Sequence, residues 1–277
     1  MKTSFAVSIQ KTQFGAIAFG ESFQDIASTL KSLGYEGIEL AIRDPQSIDQ
    51  EKIINTVKEL ELAVPAIGTG QAFIEEGLSL SSLNNKIWEK AVARLKEHIL
   101  FASHLNSIVI VGLLRGNLPT ETEKEKRNEA LERFKKALID CGKLAQKKGV
   151  KIVVEPLNRY EVNFLHTIEE TLQFLQELGV DNIGILADSF HMNIEEVNLY
   201  QSIVKANQRL WHFHIADSNR WAPGFGHLDF KPLLQALQEI NYQGFISAEI
   251  IQKPSFLGAA RQTSTYLKNL LSELRLI

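Results

Sequence analysis

Four residues able to hold a metal stand at the ends of four short apolar runs. Glu155 follows Ile-Val-Val, Asp188 follows Ile-Leu-Ala, His214 lies in Trp-His-Phe-His-Ile, and Glu249 follows Ile-Ser-Ala. A carboxylate that ends a buried strand is costly to desolvate unless it has a partner. Three carboxylates gathered at one rim repel each other, and one divalent cation relieves that repulsion directly. Three oxygen donors and one imidazole suit manganese, magnesium or cobalt better than a structural zinc, which favours Cys and His. Any one of the four alone could cap a helix or pair with a nearby Lys or Arg. Four in successive runs favour a shared ion.

Other polar residues cluster around these four. His191 lies three residues after Asp188 and reads as a second ligand, a substrate hydrogen-bonder or a surface residue. His212 and His214 are two apart, so on a strand both point to the same face. His214 is preferred as ligand because it lies nearer the C-terminal end. In the loop from Asp217 to Gly226, Arg220 either reaches toward a substrate oxygen or is solvated, and Trp221 and Phe225 either cover a pocket or pack the loop.

The elements that must position them alternate along the whole chain. Eight strands are predicted: Ser4–Ser8, Gly37–Leu40, Ala63–Gly68, Ser107–Val111, Lys151–Glu155, Ile183–Ala187, Leu210–Ile215 and Gly244–Glu249. Most are continuous apolar runs, the pattern of strands buried on both faces of a parallel sheet. Helices are predicted between them at Phe23–Leu33, Gln46–Leu60, Lys86–His104, Asn128–Lys148, Thr167–Leu178, Ile194–Ala206, Leu228–Ile240 and Ala259–Leu276. Thr167 and Glu170 form a capping-box pair, and Gly34, Gly149 and Gly179 are placed to stop helices. Strand-then-helix eight times over 277 residues predicts a (β/α)8 TIM barrel, one domain spanning residues 1–277, with its active site at the C-terminal ends of the strands. A doubly wound sheet shares the alternation, but no Gly-x-Gly-x-x-Gly or P-loop accompanies it.

Composition narrows the function. Hydrophobic residues make up 44% and charged residues 23%, with a net charge of −3. That balance lacks the basic footprint of a nucleic-acid binder. No run of eighteen apolar residues predicts a membrane span, and a cytoplasmic location is the default expectation. The lone Cys141 sits in an apolar-periodic stretch and reads as a buried helix residue.

Taken together, Glu155-Pro-Leu-Asn-Arg, Asp188-Ser-Phe-His191, the His-Phe-His214 run, Asn219-Arg220 and Ser-Ala-Glu249 resemble the xylose-isomerase-like barrels. Within them the chain is most similar to the ketose 3-epimerases, the D-tagatose and D-psicose 3-epimerase group. The separations between the four metal-competent residues, 33, 26 and 35 positions, agree with that pattern. The resemblance implies a divalent ion, manganese first, held by Glu155, Asp188, His214 and Glu249. It implies that Glu155 and Glu249 double as an acid/base pair, and that Glu161, His191 and Arg220 contact substrate. It further implies a small sugar substrate and a homo-oligomer, a dimer or tetramer. The rims of the early strands, Gly70-Gln71 and Leu114-Arg115-Gly116-Asn117, diverge from the family's aromatic and acidic contacts.

The expected reaction is inversion at a carbon next to a ketone, with one glutamate removing a proton and the other returning one to the opposite face. A single base that returns the proton to the adjacent carbon gives aldose–ketose isomerisation instead. That reaction, a hydroxypyruvate-type isomerisation and a sugar dehydration are therefore alternatives on the same site. An endonuclease-IV-like nuclease would need histidines from the earlier strands, where Ile67-Gly68-Thr69 and Val111-Gly112-Leu113 stand instead. A non-enzymatic sugar-binding barrel would need no acid/base pair. Lys253 could meet a phosphate, but no glycine-rich phosphate loop accompanies it, which favours a non-phosphorylated sugar.

Overall fold

The computed structural model describes residues 1–20 and 22–275. Eight strands, β1 (Lys2–Ser8), β2 (Glu39–Ala41), β3 (Ala66–Gly68), β4 (Ile108–Val111), β5 (Ile152–Val154), β6 (Ile183–Asp188), β7 (Leu210–Ile215) and β8 (Phe245–Ala248), run parallel in sequence order. β8 pairs with β1, which closes the barrel. The predicted (β/α)8 architecture is thus the one observed.

Among the described residues, ten α-helices surround the barrel: α1 (Phe23–Ser32), α2 (Gln50–Glu59), α3 (Gly70–Glu76), α4 (Asn85–Ser103), α5 (Lys124–Lys147), α6 (Ile168–Leu178), α7 (Ser189–Glu195), α8 (Leu199–Ala206), α9 (Lys231–Glu239) and α10 (Phe256–Glu273). The Thr167–Glu170 capping box starts α6, and Gly179 ends it at φ 66, a left-handed conformation that glycine adopts without a Cβ clash. The segment expected as one helix, Ile194–Ala206, is two. The chain leaves α7 at Glu196, which is extended (φ −89, ψ 134). Its carboxylate accepts from the Ile168 backbone N–H at 2.7 Å and from the Ser202 hydroxyl at 2.7 Å. α3 was not foreseen, being only seven residues long. α10 begins at Phe256, three residues before its expected start, because Ser255 caps it. The expected last residue of that helix, Leu276, lies outside the described residues.

Parity along the strands sorts the core into two parts. Ala66, Ile110, Val153 and Leu186 form a small cluster of their own inside the barrel, while their strand neighbours pack outward against the helices. Side chains alternate across a strand. Continuing the inward parity from Val153 reaches Glu155, and from Leu186 reaches Asp188. On β7 the outward residues are Phe213 and Ile215, so His212 and His214 face in. On β8 Ile246 and Ala248 face out, so Glu249 faces in. On β2 Ile38 and Leu40 face out, which turns Glu39 inward. Register places Asp188 beside His214, and His214 beside Ser247. Among the described residues no helix is long and apolar enough to cross a membrane. Cys141 is fully buried, and burial pushes its thiol up to about 12.

Candidate active site and metal centre

Glu155, Asp188, His214 and Glu249 converge, with one donor atom from each within 4.8 Å of the others. Asp188 serves two purposes. Its Oδ1 accepts from the Phe190 N–H at 2.8 Å and caps α7, which leaves Oδ2 free to face the centre. Glu155 comes close to the backbone of Gly112, where a Cβ would stand 2.5 Å from its Oε2. Glycine at that position is what lets the carboxylate lie there.

Three atoms test whether a cation fits. Glu155 Oε1, Asp188 Oδ2 and His214 Nδ1 are all buried and have no hydrogen-bond partner. Buried polar atoms in native proteins are almost always satisfied. Two carboxylate oxygens and an imidazole nitrogen aimed at one point are a donor set for a divalent ion. Burial pushes Asp188 from its ordinary 3.8 up to about 7, against the opposing charge of His214. Burial also raises Glu155, again opposed by His214. Both shifts express the cost of placing anions in a dry pocket that His214 and Arg220 only partly offset.

His191 sits beside the centre and is held as one tautomer. Its Nδ1 accepts from the Asn158 backbone N–H at 3.3 Å and lies 2.7 Å from Asn158 Nδ2. An accepting Nδ1 carries no proton, so the proton is on Nε2. Nε2 lies 3.6 Å from Asp188 Oδ2 and 4.0 Å from Glu155 Oε1. Burial, then the charge of Arg220, depresses the imidazole well below 6.5 and keeps it neutral.

Arg220 closes the other side. Its Nη2 donates to Glu249 Oε2 at 2.7 Å and its Nη1 to Glu161 Oε1 at 3.0 Å. Its guanidinium lies 5.0 Å from the Phe14 ring centre and 4.8 Å from that of Phe190, within cation–π range. The residue is only 8% exposed, so the solvated alternative is excluded. Its backbone is left-handed at φ 60, which costs about 1–2 kcal/mol for an L-residue. Asp217 sustains that turn: its carboxylate accepts from the N–H groups of Ser218, Gly224 and Leu228. Trp221 and Phe225 are 36% and 41% exposed and do not line the cavity, whose apolar wall is formed by Phe14, Ile17, Ile74 and Leu113.

Four supporting residues went unread in the sequence. Gly112, Asn158 and Asp217 position Glu155, His191 and Arg220 respectively. Glu39 on β2 lines the floor of the same cavity and accepts from both β7 histidines. The expected rim residues Gly70 and Gln71 do line the cavity, whereas Arg115 is fully buried with its guanidinium 5.3 Å from the Phe164 ring centre.

Comparison with known proteins agrees with this geometry. The family model of the xylose isomerase-like TIM barrel matches residues 27–270. The chain is 31% identical over 226 residues to an L-ribulose 3-epimerase of Methylomonas sp., across 78% of this chain and 74% of that protein. It is 27% identical over 241 residues to a 3-dehydro-D-guloside 4-epimerase of Escherichia coli, across 83% of this chain and 88% of the relative. A crystal structure of a D-allulose 3-epimerase from Methylomonas sp. superposes with a TM-score of 0.82 at 24% identity, covering 98% of each chain. The chain therefore belongs to the xylose isomerase-like TIM barrels and, within them, to the ketose 3-epimerase family of sugar epimerases. It is an enzyme of that class.

Proposed function

We propose that this enzyme inverts a ketose at the carbon next to its carbonyl, using one divalent ion held by Glu155, Asp188, His214 and Glu249. The observation that carries this reading is the placement of Glu155 and Glu249. They rise from β5 and β8, with β6 and β7 between them around the barrel, and converge on one point in a single cavity. When bound, the ion supplies Lewis acidity toward the substrate's oxygens. Manganese is the first ion to test, then magnesium and cobalt.

The chain's own residues divide the remaining work. One glutamate takes the carbon-bound proton and the other delivers a proton to the opposite face, which inverts the centre. Burial raises Glu155 above the ordinary carboxylate value, which strengthens it as a proton acceptor. Arg220 fixes the Glu249 carboxylate through Oε2. The neutral His191 points Nε2–H at a substrate oxygen and stabilises charge that develops there. Glu161 anchors both Arg220 and Asn158, at 3.0 Å each, and offers its carboxylate to a substrate hydroxyl. The relative named for L-ribulose, a free ketose, supports a small, free sugar as substrate. A homo-oligomer of two or four chains completes the reading, to be checked by light scattering.

The test is a set of free ketohexoses and ketopentoses incubated with metal-loaded enzyme in heavy water and followed by NMR. Inversion with deuterium at C3 is expected. Aldose formation, with deuterium at C1 or C2, would replace epimerisation by isomerisation. Glu155→Gln and Glu249→Gln should each lower turnover by about 10²–10⁴-fold. Full activity in either variant sinks the acid/base assignment.

A further inference from the structure

Glu39 is a buried carboxylate for which the proton-transfer scheme has no use. It is 2% exposed, on a three-residue strand, with the fully buried Ile38 and Leu40 on either side. Its Oε2 lies 2.7 Å from His212 Nε2, and its Oε1 and Oε2 lie 3.0 and 3.1 Å from His214 Nε2. An isolated carboxylate cannot persist in such a place. Here two imidazoles from one strand satisfy it, across 173 and 175 residues of sequence.

Two chemistries are compatible with one carboxylate and two imidazoles: a second metal site or a hydrogen-bonded positioning device. Every carboxylate-to-nitrogen distance is a hydrogen-bond distance, and neither oxygen of Glu39 nor Nε2 of either histidine is left unpartnered. The unpartnered atom is His214 Nδ1, on the opposite side of the ring. The arrangement is therefore directional. An ionised carboxylate only accepts, so each Nε2 must carry a proton.

We propose that Glu39 is a positioning residue for the metal centre: by accepting Nε2–H of His214 it fixes that ring's orientation and tautomer, so that the Nδ1 lone pair faces Glu155, Asp188 and Glu249. His212 holds the second oxygen and prevents the carboxylate from rotating away. A carboxylate behind a ligating imidazole also raises the basicity of the ligand nitrogen. The inference rests on reading Glu155, Asp188, His214 and Glu249 as a metal site.

The experiment uses Glu39→Gln. The amide keeps the size of the side chain but replaces one acceptor by an NH2 group, which cannot accept from an imidazole N–H. Mn(II) titration of the metal-free protein, read by the EPR signal of the free ion, is expected to show binding weakened about 10–100-fold. Circular dichroism should be unchanged. The second measurement needs no variant. Long-range proton–nitrogen NMR of ¹⁵N-histidine-labelled wild type should show His214 Nε2 carrying a proton, with or without a diamagnetic ion such as magnesium. Unchanged Mn(II) affinity in a folded Glu39→Gln protein overturns the proposal. So does a bare Nε2 on His214 in the wild type, which decides the matter should the variant not fold. A wild type that binds no divalent ion sinks the metal site itself. Bound ion with unshifted variant affinity sinks only the role of Glu39.

Discussion

Arg220 Nη2 donates to Glu249 Oε2 at 2.7 Å, and this contact ties the loop after β7 to the end of β8. Burial opposes a charge on Arg220, but the Glu249 and Asp188 carboxylates more than compensate and raise its pKa further. The pair is held on both sides: Glu161 takes Nη1, and two aromatic rings flank the guanidinium. A lysine ammonium keeps the charge but has no planar fork to reach both carboxylates. Arg220→Lys should lower kcat/KM by about 10²–10³-fold, the usual effect of removing a preorganised donor from a site. Steady-state kinetics on the ketose identified by the heavy-water screen measures it. Retention of activity within about threefold would show that a point charge suffices there.

Above the ordinary histidine value of 6.5, where the depressed His98, His191 and His212 are neutral in both states, the metal-free protein should lose stability as pH rises. Burial raises Asp188 from 3.8 to about 7. The folded state thus holds that proton more tightly than the unfolded chain, and the advantage disappears as pH climbs through that range. His214 acts in the same direction. Burial opposes its charge, but Glu39 and Glu155 hold it well above 6.5, so its contribution is present below 6.5 and lost at higher pH. Glu39 is lowered, so its contribution is retained throughout and lost only under strong acid. A divalent ion needs its ligands deprotonated. Its stabilising effect should therefore grow from about pH 5.5 to about pH 8. Thermal melts with EDTA and with added Mn(II) across that range measure both trends. A metal-induced Tm shift that is flat or shrinks with pH would contradict this account.

The barrel was legible because its strands are buried on both faces and read as unbroken apolar runs. The four convergent residues were legible because each interrupts such a run at its C-terminal end, where a barrel assembles its site. Glu39 interrupts a run too, in Gly-Ile-Glu-Leu, but it lies at the start of its strand and its partners are more than 170 residues away. Only the closing of the barrel brings β2 across from β7. The available signal was a lone carboxylate between two apolar residues, paired with two inward histidines elsewhere that needed an acceptor. Arg220 and His191 stayed ambiguous for a related reason. Their orientation is set by Asp217 and Asn158 through loop turns, which spacing does not encode.

The outer layer offers a control with no connection to the site. Phe134 on α5 is fully buried, stacked on Phe174 at 5.4 Å and edge-on to Phe164 at 5.6 Å. Phe134→Ala removes the ring that joins α5 to α6 and to the loop after β5. It should destabilise the protein by about 3–5 kcal/mol, seen in urea melts of the metal-free protein. A loss under about 1 kcal/mol would mean that the surrounding helices collapse into the space.

Gly112 links the fold to the site most directly. It follows β4, and its missing side chain leaves room for the Glu155 carboxylate of the next strand. A Cβ would stand 2.5 Å from Glu155 Oε2, well inside contact distance, with Leu157 Cδ1 at 3.8 Å on the same side. The neighbouring β4–β5 ladder pins the backbone, so the carboxylate must yield. Gly112→Ala should therefore leave the barrel folded but displace Glu155 from the convergence with Asp188 and His214. Weakening of Mn(II) binding by about tenfold or more is expected, together with a fall in kcat. Since Gly112 carries no donor side chain, these losses can arise only through Glu155 or the local backbone. The double variant Gly112→Ala with Glu155→Gln separates the two. If Glu155 transmits the effect, the double variant should bind Mn(II) no more weakly than Glu155→Gln alone. Additive losses would instead assign the effect to a shift of the β4 backbone.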